Sequence, residues 1–168
     1  VAGRVDRDRR RDFMSQHTGQ HMLSRALIDV ARAETVSSRL GELTATIDTP
    51  LSSLDEALLA RAEDLVNALV LDDVAVRTHF PTPDELGAMP LRRAPKVTEG
   101  VRVVEVEGFD FTPCGGTHVT RTGQIGPVRI TGVERYKGGT RVTFLAGRRA
   151  LSDMRGKDAV LRDLAKAF

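Results

Sequence analysis

The stretch His17-Thr-Gly-Gln-His21 decides how this chain has to fold. It lies near the start of a segment whose apolar spacing predicts a helix from Phe13 to about Ala33, with Asp12 as the N-cap. Side chains four residues apart in a helix project from one face, one turn above each other, so the two imidazoles can reach a single point in space. Any further side chains that reach the same point have to come from another part of the chain.

A second pair with the same spacing lies in Cys114-Gly-Gly-Thr-His118. The chain has four histidines and one cysteine, and three of those histidines and the cysteine fall into these two pairs. In an extended strand, residues four apart are separated by about 13 Å, so Cys114 and His118 converge only where the chain folds back, which Gly115-Gly116 permits. Histidine nitrogens and a thiolate form a ligand set that suits tetrahedral zinc. We therefore predict that one zinc ion is bound by His17, His21, Cys114 and His118.

Length and composition limit the class of protein. With 168 residues, of which 40% are hydrophobic, the chain suits one domain with a real core. A single cysteine excludes an internal disulfide framework and favours a reducing, cytoplasmic setting. No apolar run approaches the length of about 18 residues that predicts a membrane span, so we expect no membrane partner. Because the first residue is Val1 rather than Met, we expect a processed protein or an excised fragment.

Hydrophobic periodicity predicts an α+β fold in which an antiparallel sheet packs against two long helices. The capping box Ser53-Leu-Asp-Glu56 opens the second long helix, which runs to about Leu71, and Thr82 caps a short helix. Alternating residues predict strands at 43–47, 74–80, 101–107, 124–136 and 141–146, with a loop or an edge strand at 35–40. The zinc site is expected between the first helix and the Cys-Gly-Gly-Thr-His turn.

Three units are predicted along the chain: a basic linker or arm at residues 1–11, a domain at 12–150 and a C-terminal helix at 151–168. The arm contains five arginines, which suit either a solvated linker or a segment that lies along a phosphate backbone. The last helix has apolar residues at a near-heptad spacing. It therefore either packs on the domain or pairs with another helix in a homodimer.

Positive charge is concentrated around a predicted hairpin near the end of the domain. Residues 121–149 contain seven basic residues and one acid, Glu134, and Lys137-Gly-Gly-Thr140 forms the hairpin turn. Such a hairpin beside a metal site predicts a track for phosphates, and a solvated basic face is the other interpretation. The predicted contacts to nucleic acid are Arg10, Arg11, Lys137 and Arg141.

Several of these motifs together resemble a known family. Arg10-Arg11-Asp-Phe-Met14 running into the first histidine pair, Phe111-Thr-Pro-Cys-Gly-Gly-Thr-His118 and Thr122-Gly-Gln-Ile-Gly126 are similar to the alanyl-tRNA editing domain. This domain occurs inside alanyl-tRNA synthetase and as freestanding proteins, and a related domain edits in threonyl-tRNA synthetase. The segments Tyr136-Lys-Gly-Gly-Thr-Arg141 and Gly147-Arg-Arg-Ala-Leu151 look like the freestanding kind. The resemblance covers the chain from about Arg10 to Leu151.

The resemblance implies zinc-dependent hydrolysis, in trans, of the aminoacyl ester on mischarged alanine tRNA, chiefly tRNA that carries serine, with glycine as a further substrate. It identifies zinc as the cofactor, tRNA as the partner and residues 12–150 as the editing domain. A pocket shaped for alanine rejects an isostere with one added hydroxyl only weakly, on the order of a hundredfold. A second site that recognises the hydroxyl meets that physical need.

The resemblance also implies a hydroxyl or amide, just beyond the first helix, that contacts the serine side chain of the substrate. Its spacing from His17 selects Ser37 or Ser38, and we expect Ser38, with Gln20 as a second substrate contact. Both serines depart from the Thr or Gln expected at this position. Candidate oxyanion donors are the backbone amides of Gly115, Gly116 and Thr117.

The sequence leaves the role of the metal and two other function classes open. Four protein ligands close a tetrahedral site, so catalysis needs a fifth ligand, a ligand that moves away, or a zinc that only positions the substrate. A non-catalytic RNA-binding module with a structural zinc would need the basic hairpin but no pocket beside the metal. A zinc hydrolase of small esters would need the pocket but no basic hairpin.

Overall fold

Four α-helices and seven β-strands make up the part of the chain that the structure describes. The structure is a computed structural model, and it describes residues 1–95, 97 and 99–167. The helices, in chain order, are α1 (Arg7–Ala31), α2 (Glu56–Leu71), α3 (Pro83–Ala88) and α4 (Arg148–Ala167). The strands are β1 (Ser37–Leu40), β2 (Ala45–Thr49), β3 (Val76–His79), β4 (Val103–Val106), β5 (Asp110–Pro113), β6 (Val128–Tyr136) and β7 (Gly139–Ala146).

The strands form two antiparallel sheets rather than the single sheet that the sequence predicted. One sheet has four strands in the order β1-β2-β7-β6, and the other has three in the order β3-β4-β5. The α+β class with antiparallel pairing is therefore confirmed, and the prediction of one sheet is wrong. A period of two identifies a strand but not its partner, because pairing depends on which strand edges the loops bring together.

Two amide side chains fasten the long helices α1 and α2 to the four-stranded sheet. Gln16 of α1 donates from Nε2 to the carbonyl of Ala146 (2.8 Å) and accepts from the amide of Ala146 (3.0 Å). Asn67 of α2 makes the equivalent pair of bonds with Val128, at 2.8 and 2.9 Å. Ala146 and Val128 are themselves cross-strand partners. Both helices are therefore held at the same end of the β6–β7 pair, where strand backbone groups need partners.

Gly19, between the two histidines of α1, lies against that end of the sheet. A Cβ at this position would be 3.3 Å from Cβ of Ala146 and 3.6 Å from Cγ2 of Val128. The sequence indicated only that something approaches the helix backbone here, since glycine costs about 1 kcal/mol relative to alanine in a helix. The approaching element is the sheet. This contact sets the position of α1 on the sheet, and with it the position of the flanking residues His17 and His21.

The core lies between α1, α2 and the four-stranded sheet, and it extends to β3 and β4. Its largest fully buried side chains include Phe144, Met22, Leu23, Leu27 and Ile47. Each such side chain contributes about 1.5–3 kcal/mol by leaving water. The candidate ligands His17 and His21 lie on the helix that supplies three of these five residues, so packing of the core also fixes the site.

Helix α1 begins six residues before the predicted start. Asp6, not Asp12, is its N-cap and accepts the amide of Arg9 at 3.0 Å. Asp12 lies inside the helix, where its carboxylate binds Arg149 at 2.6 Å. The prediction of Asp12 as N-cap is therefore wrong, because a distant cation occupies its carboxylate. The proposed boundary at residue 11 falls inside α1.

The predicted N-terminal capping residues are wrong for α2 and confirmed for α3. Asp55 caps α2 by accepting the amide of Ala57 at 2.7 Å, so the predicted box at Ser53 is wrong. The box at Thr82 is present in both directions, between the Thr82 side chain and the backbone and side chain of Glu85. An acid closer to the first helical turn has displaced the serine as cap of α2.

Helix α4 is largely exposed. Ala150 is its buried residue, and its long apolar side chains are exposed. Those side chains are Leu151, Met154, Val160, Leu161 and Leu164. Residue 168, the predicted end of this helix, lies outside the described residues. The homodimer and the division of the chain at residues 11 and 150 stay predictions. None of the helices in the described ranges is long and apolar enough to cross a membrane.

Candidate metal centre

The ligand atoms of four residues converge between α1 and the turn that follows β5. One ligand atom of each residue lies within 4.8 Å of the corresponding atom of every other, for the set His17, His21, Cys114 and His118. The helix supplies two of them one turn apart, and the turn after β5 supplies the other two. This group could hold a metal ion.

Two distances in the group are close to those of a tetrahedral metal site. Nε2 of His17 and Nε2 of His118 are each 3.5 Å from Sγ of Cys114. A tetrahedron with Zn–N of about 2.1 Å and Zn–S of about 2.3 Å has an N···S edge of about 3.6 Å. The ring centroid of His118 lies 4.1 Å from that of His17 and 4.5 Å from that of His21. The two nitrogen–sulfur distances are therefore close to that edge, and the three rings lie together on one side of the cluster.

The other ring nitrogens of His17 and His118 are held by the protein. Nδ1 of His17 lies 3.2 Å from the carbonyl oxygen of Thr117, which can only accept, so this nitrogen carries the proton and Nε2 keeps its lone pair. Nδ1 of His118 lies 3.1 Å from Oγ1 of Thr18, which also accepts the amide of Val119 at 3.2 Å. Such bonds orient metal-binding imidazoles.

Among the described residues, Nδ1 of His21 is the one buried side-chain polar atom without a hydrogen-bond partner. The residue is 2% exposed, so bulk water does not supply the partner either. Leaving such an atom unpaired costs about 1–3 kcal/mol. A metal ion coordinated by Nδ1 itself would relieve the deficit. The donor set, the spacing and this orphaned atom all fit a metal.

Burial keeps the three imidazoles neutral at neutral pH. Desolvation lowers the pKa of His118 from 6.5 to about 3, and it holds the pKa of His21 well below 6.5. Desolvation also lowers the pKa of His17, against an opposing hydrogen bond to Thr117 and with added repulsion from the guanidinium groups of Arg102 and Arg93. A neutral imidazole offers the lone pair that a metal needs.

Gly116 is required by the shape of the ligand turn. A Cβ on this residue would lie 2.7 Å from Nδ1 of His17, inside the imidazole. A Cβ on Gly115 would meet no atom within 4 Å. The amide of Gly116 donates to Sγ of Cys114 at 3.4 Å, so the turn also orients the sulfur. The two glycines thus have different roles: Gly116 accommodates a ligand, and Gly115 does not.

Arg102, just before β4, holds the ligand turn in place. Its Nη1 donates to the carbonyls of Cys114 (2.8 Å) and Gly116 (2.6 Å), and its Nη2 donates to Oγ1 of Thr78 (3.1 Å). One rigid guanidinium therefore fixes two backbone groups of the turn relative to β3. Sequence reasoning missed this residue. The available signal was a basic side chain between the buried residues Val101 and Val103.

A buried ion pair supports the same region from the other side. Arg92 and Asp110 form it at 3.0 Å, and their side chains are 6% and 1% exposed. Thr112 donates to Asp110 at 2.6 Å and accepts from Arg92 at 3.1 Å. The pair joins the segment after α3 to β5, directly before the ligand turn. The sequence assigned no role to either residue.

The predicted substrate contacts lie in different surroundings. Gln20 is buried and donates to Oγ of Ser24 at 2.8 Å, and the hydroxyl of Thr35 donates to the same oxygen at 2.7 Å. Ser38 is exposed in β1, and the neighbouring Ser37 donates to Asp48 at 2.5 Å. Both substrate assignments stay predictions, as does the oxyanion role of the amides of Gly115, Gly116 and Thr117.

The predicted tRNA contacts are also separated. Arg10 and Arg11 are exposed on the first turns of α1 and line a groove of about 980 Å³. Lys137 is exposed at the tip of the β6–β7 hairpin. Arg141 instead binds Asp48 through two hydrogen bonds, at 2.7 and 3.0 Å, and its guanidinium lies 3.4 Å from the centre of the Tyr136 ring. These four contacts stay predictions.

The fold and the site together define an α+β domain with a candidate metal centre between a helix and a turn. Comparison with known proteins narrows that class. The family model described as the second additional domain of threonyl and alanyl tRNA synthetases matches residues 101–143, which include Cys114 and His118.

Similar proteins include synthetases and proteins named for editing. The alanine–tRNA ligase of Desulforudis audaxviator is 36% identical over 97% of this chain and 19% of its own length. Alanyl-tRNA editing protein AlaX-L of Pyrococcus horikoshii is 31% identical over 89% of this chain and 37% of its own length. Alanyl-tRNA editing protein Aarsd1 of Mus musculus is 34% identical over 99% of this chain and 42% of its own length.

The chain belongs to the alanyl-tRNA editing domain family, so the resemblance drawn from the sequence is confirmed. It spans less than half of the length of these relatives. The aligned segments cover 89–99% of this chain.

Proposed function

We propose that this domain hydrolyses, with zinc, the ester bond of mischarged aminoacyl-tRNA, chiefly serine on alanine tRNA, and acts in trans. The convergence of three imidazole nitrogens and one cysteine sulfur within 4.8 Å carries the proposal. Two relatives named alanyl-tRNA editing proteins support the same reaction. We propose zinc as the metal because zinc binds cysteine sulfur and histidine nitrogen ligands in proteins.

His17, His21, Cys114 and His118 would hold the ion. When bound, zinc supplies a Lewis acid that orients or polarises the scissile ester and its attacking water. The residues around it have separate tasks. Thr117 and Thr18 orient two of the imidazoles through the hydrogen bonds described above, and Arg102 holds the turn that carries Cys114. The amide of Gly116 points to the sulfur, which leaves those of Gly115 and Thr117 as the oxyanion donors that we propose.

Selectivity for serine over alanine needs a buried polar partner, because the reacting carbonyl is identical in the two esters. A partner left unpaired by alanine costs about 1–3 kcal/mol. Gln20 is buried in α1, directly before His21, whereas Ser38 is exposed. We expect Gln20→Ala to slow seryl-tRNA hydrolysis by about ten- to a hundredfold, the rate equivalent of that energy. Ser38→Ala, measured beside it, has the same effect only if β1 closes over the substrate.

The decisive experiment measures release of serine from seryl-tRNA(Ala) by the purified protein, with alanyl-tRNA(Ala) as the comparison. We expect rapid release of serine and slow release of alanine, both lost in Cys114→Ala. Binding of tRNA without release of serine would instead support a non-catalytic RNA-binding module. Equal rates on seryl-tRNA and on serine methyl ester would support a hydrolase of small esters.

A further inference from the structure

A cavity of about 360 Å³ adjoins the candidate metal centre at the end of the three-stranded sheet. It lies between the segment before β4 and the ligand turn, and Cys114 and Gly115 form part of its wall. Its volume falls within the range of about 300–1,000 Å³ that is typical of ligand pockets. Because a candidate metal ligand lines it, a molecule bound here lies directly beside the proposed reaction centre.

The wall of this cavity is positively charged. Arg93 and Arg102 line it, and no acidic side chain does so within the described ranges. Neither arginine forms an ion pair with a residue that the structure describes. The adjacent Arg92 is different, because Asp110 neutralises it. Two cations without counter-charges at one cavity indicate an anionic ligand.

The two arginines differ in how freely they can bind that ligand. Arg102 is half-buried, and its donors already serve two backbone carbonyls and a hydroxyl, all of them neutral. Its charge is therefore fixed in the wall and uncompensated. Arg93 is exposed and makes one long bond, 3.4 Å, to the carbonyl of Pro113. Arg93 can turn its guanidinium to a ligand at little cost.

We infer that this cavity binds the 5′-phosphate of the terminal nucleotide of the tRNA acceptor end, with Arg93 as the contacting residue and Arg102 as the fixed charge behind it. The inference rests on the proposed function, since the ester of an aminoacyl-tRNA is on the ribose of that same nucleotide. Its 5′-phosphate is thus the nearest anion to the scissile bond. A planar guanidinium recognises phosphate oxygens through two parallel hydrogen bonds.

This assignment gives the site a way to select an acylated nucleotide over a small ester. The metal centre alone recognises the ester and the amino acid, which small esters also present. A phosphate contact one ribose away is available only when the ester is attached to a nucleotide. Arg93 therefore adds affinity for the RNA end without taking part in the chemistry.

The test uses two stable analogues of the aminoacylated end, 3′-seramido-3′-deoxyadenosine and the same compound with a 5′-phosphate, whose amide is not readily hydrolysed. Isothermal titration measures their affinities for the zinc-loaded protein. We expect the phosphate to increase affinity by about tenfold, as for a charge-assisted bidentate contact. Arg93→Gln should remove this increase. Arg61→Gln, at an exposed arginine of α2, should retain it, and both variants should keep their zinc.

Equal affinity of the two analogues for the wild-type protein would overturn the inference, and so would a phosphate effect that survives in Arg93→Gln. Inorganic phosphate serves as a competitor. If it displaces the phosphorylated analogue at the analogue's own concentration, the cavity is a general anion site and the inference fails. Failure of both analogues to bind, together with hydrolysis of seryl-tRNA, would also overturn it while leaving the proposed function intact. Absence of seryl-tRNA hydrolysis would instead remove the proposed function.

Discussion

The histidine–cysteine cluster and the basic segment at residues 121–149 balance their charges in opposite ways. Beside the cluster, Arg93 and Arg102 have no acidic partner among the residues described. In the basic segment, five of the seven basic residues are paired with acids from other parts of the chain. The pairs are Arg121–Asp73, Arg129–Glu63, Arg141–Asp48, Arg148–Asp8 and Arg149–Asp12.

This difference shows that a count of charges along the sequence does not locate a phosphate site. The segment with the larger positive count is mostly neutralised within the fold, and Lys137 at the hairpin tip is exposed without an ion pair in the described part of the chain. Fewer cations lie near the cluster, but they have no acidic partner among the described residues and they line a cavity. Uncompensated charge, rather than total charge, attracts an anion.

Loss of a ligand from the cluster should have the largest effect of any single change. His17→Asn removes an imidazole that faces Sγ of Cys114. The variant keeps three of the four candidate ligands, and we expect it to lose most of its affinity for zinc. We expect zinc content, measured by atomic absorption on protein purified without added metal, to fall from about one ion per chain to a small fraction. The proposed seryl-tRNA hydrolysis should fall more than a hundredfold.

His79→Asn is the matched control for this change. His79 lies outside the cluster and binds Glu105 at 2.7 Å. Full zinc content is expected in this variant. Full zinc content in His17→Asn as well would show that the cluster is not the metal site.

Gly116→Ala should have the next largest effect. The new methyl group overlaps the imidazole of His17, so the ring or the turn has to move. A displaced ligand lowers metal affinity by about tenfold or more, the scale on which metal sites respond to misplaced supporting groups. Competition with a chromophoric chelator measures this affinity. Gly115→Ala, whose methyl group meets nothing, should bind zinc like the wild type, and equal losses in the two variants would contradict the role assigned to Gly116.

The cluster was predictable from the sequence because its first half depends on local geometry. The pitch of a helix fixes the position of His17 relative to His21, and the two glycines indicated the turn that brings Cys114 close to His118. The groups that hold the turn were not predictable in this way. Arg102 acts on carbonyls 12 and 14 residues further along the chain, and spacing alone does not reveal such a contact.

The charge balance of the basic segment could not be predicted for a related reason. Asp48 neutralises Arg141 from the adjacent strand β2, in the register Asp48↔Arg141. Alternation predicted both strands but not that they pair. The same limit explains the error of one sheet instead of two. Most helices and strands were located from their own residues, apart from the caps of α1 and α2 and strand β5, whereas pairings between residues distant in sequence were not found.

The basic segment should show a smaller, graded effect on tRNA binding. Lys137 is exposed and Arg141 is paired with Asp48, so only Lys137 releases a counterion on binding a phosphate. We expect Lys137→Ala to reduce the slope of log affinity against log salt by about 0.7–0.9, and Arg141→Ala to change it by much less. Filter binding of uncharged tRNA at several salt concentrations gives both slopes. The same reduction in both variants would mean that the Asp48–Arg141 pair opens on binding.

The smallest effect concerns the pH dependence of the Asp48–Arg141 pair itself. The guanidinium of Arg141 holds the pKa of Asp48 below its ordinary value of 3.8. The folded state therefore binds this proton less readily than the unfolded state. The stabilisation is fully present above the unfolded pKa and is lost as the pH falls through the folded pKa. Asp48→Asn should lower the urea midpoint at pH 7.

As the pH falls below 3.8, the urea midpoints of the wild type and Asp48→Asn should converge, and they should meet once the pH lies below the folded pKa of Asp48. Asp64→Asn, at an exposed carboxylate of α2, should follow the wild type at every pH. A difference between the wild type and Asp48→Asn that does not shrink at any pH below 3.8 at which both proteins still fold would show that packing, not the charge of Asp48, stabilises the hairpin. In that case Arg141 is not neutralised by Asp48, and its charge becomes available to tRNA after all.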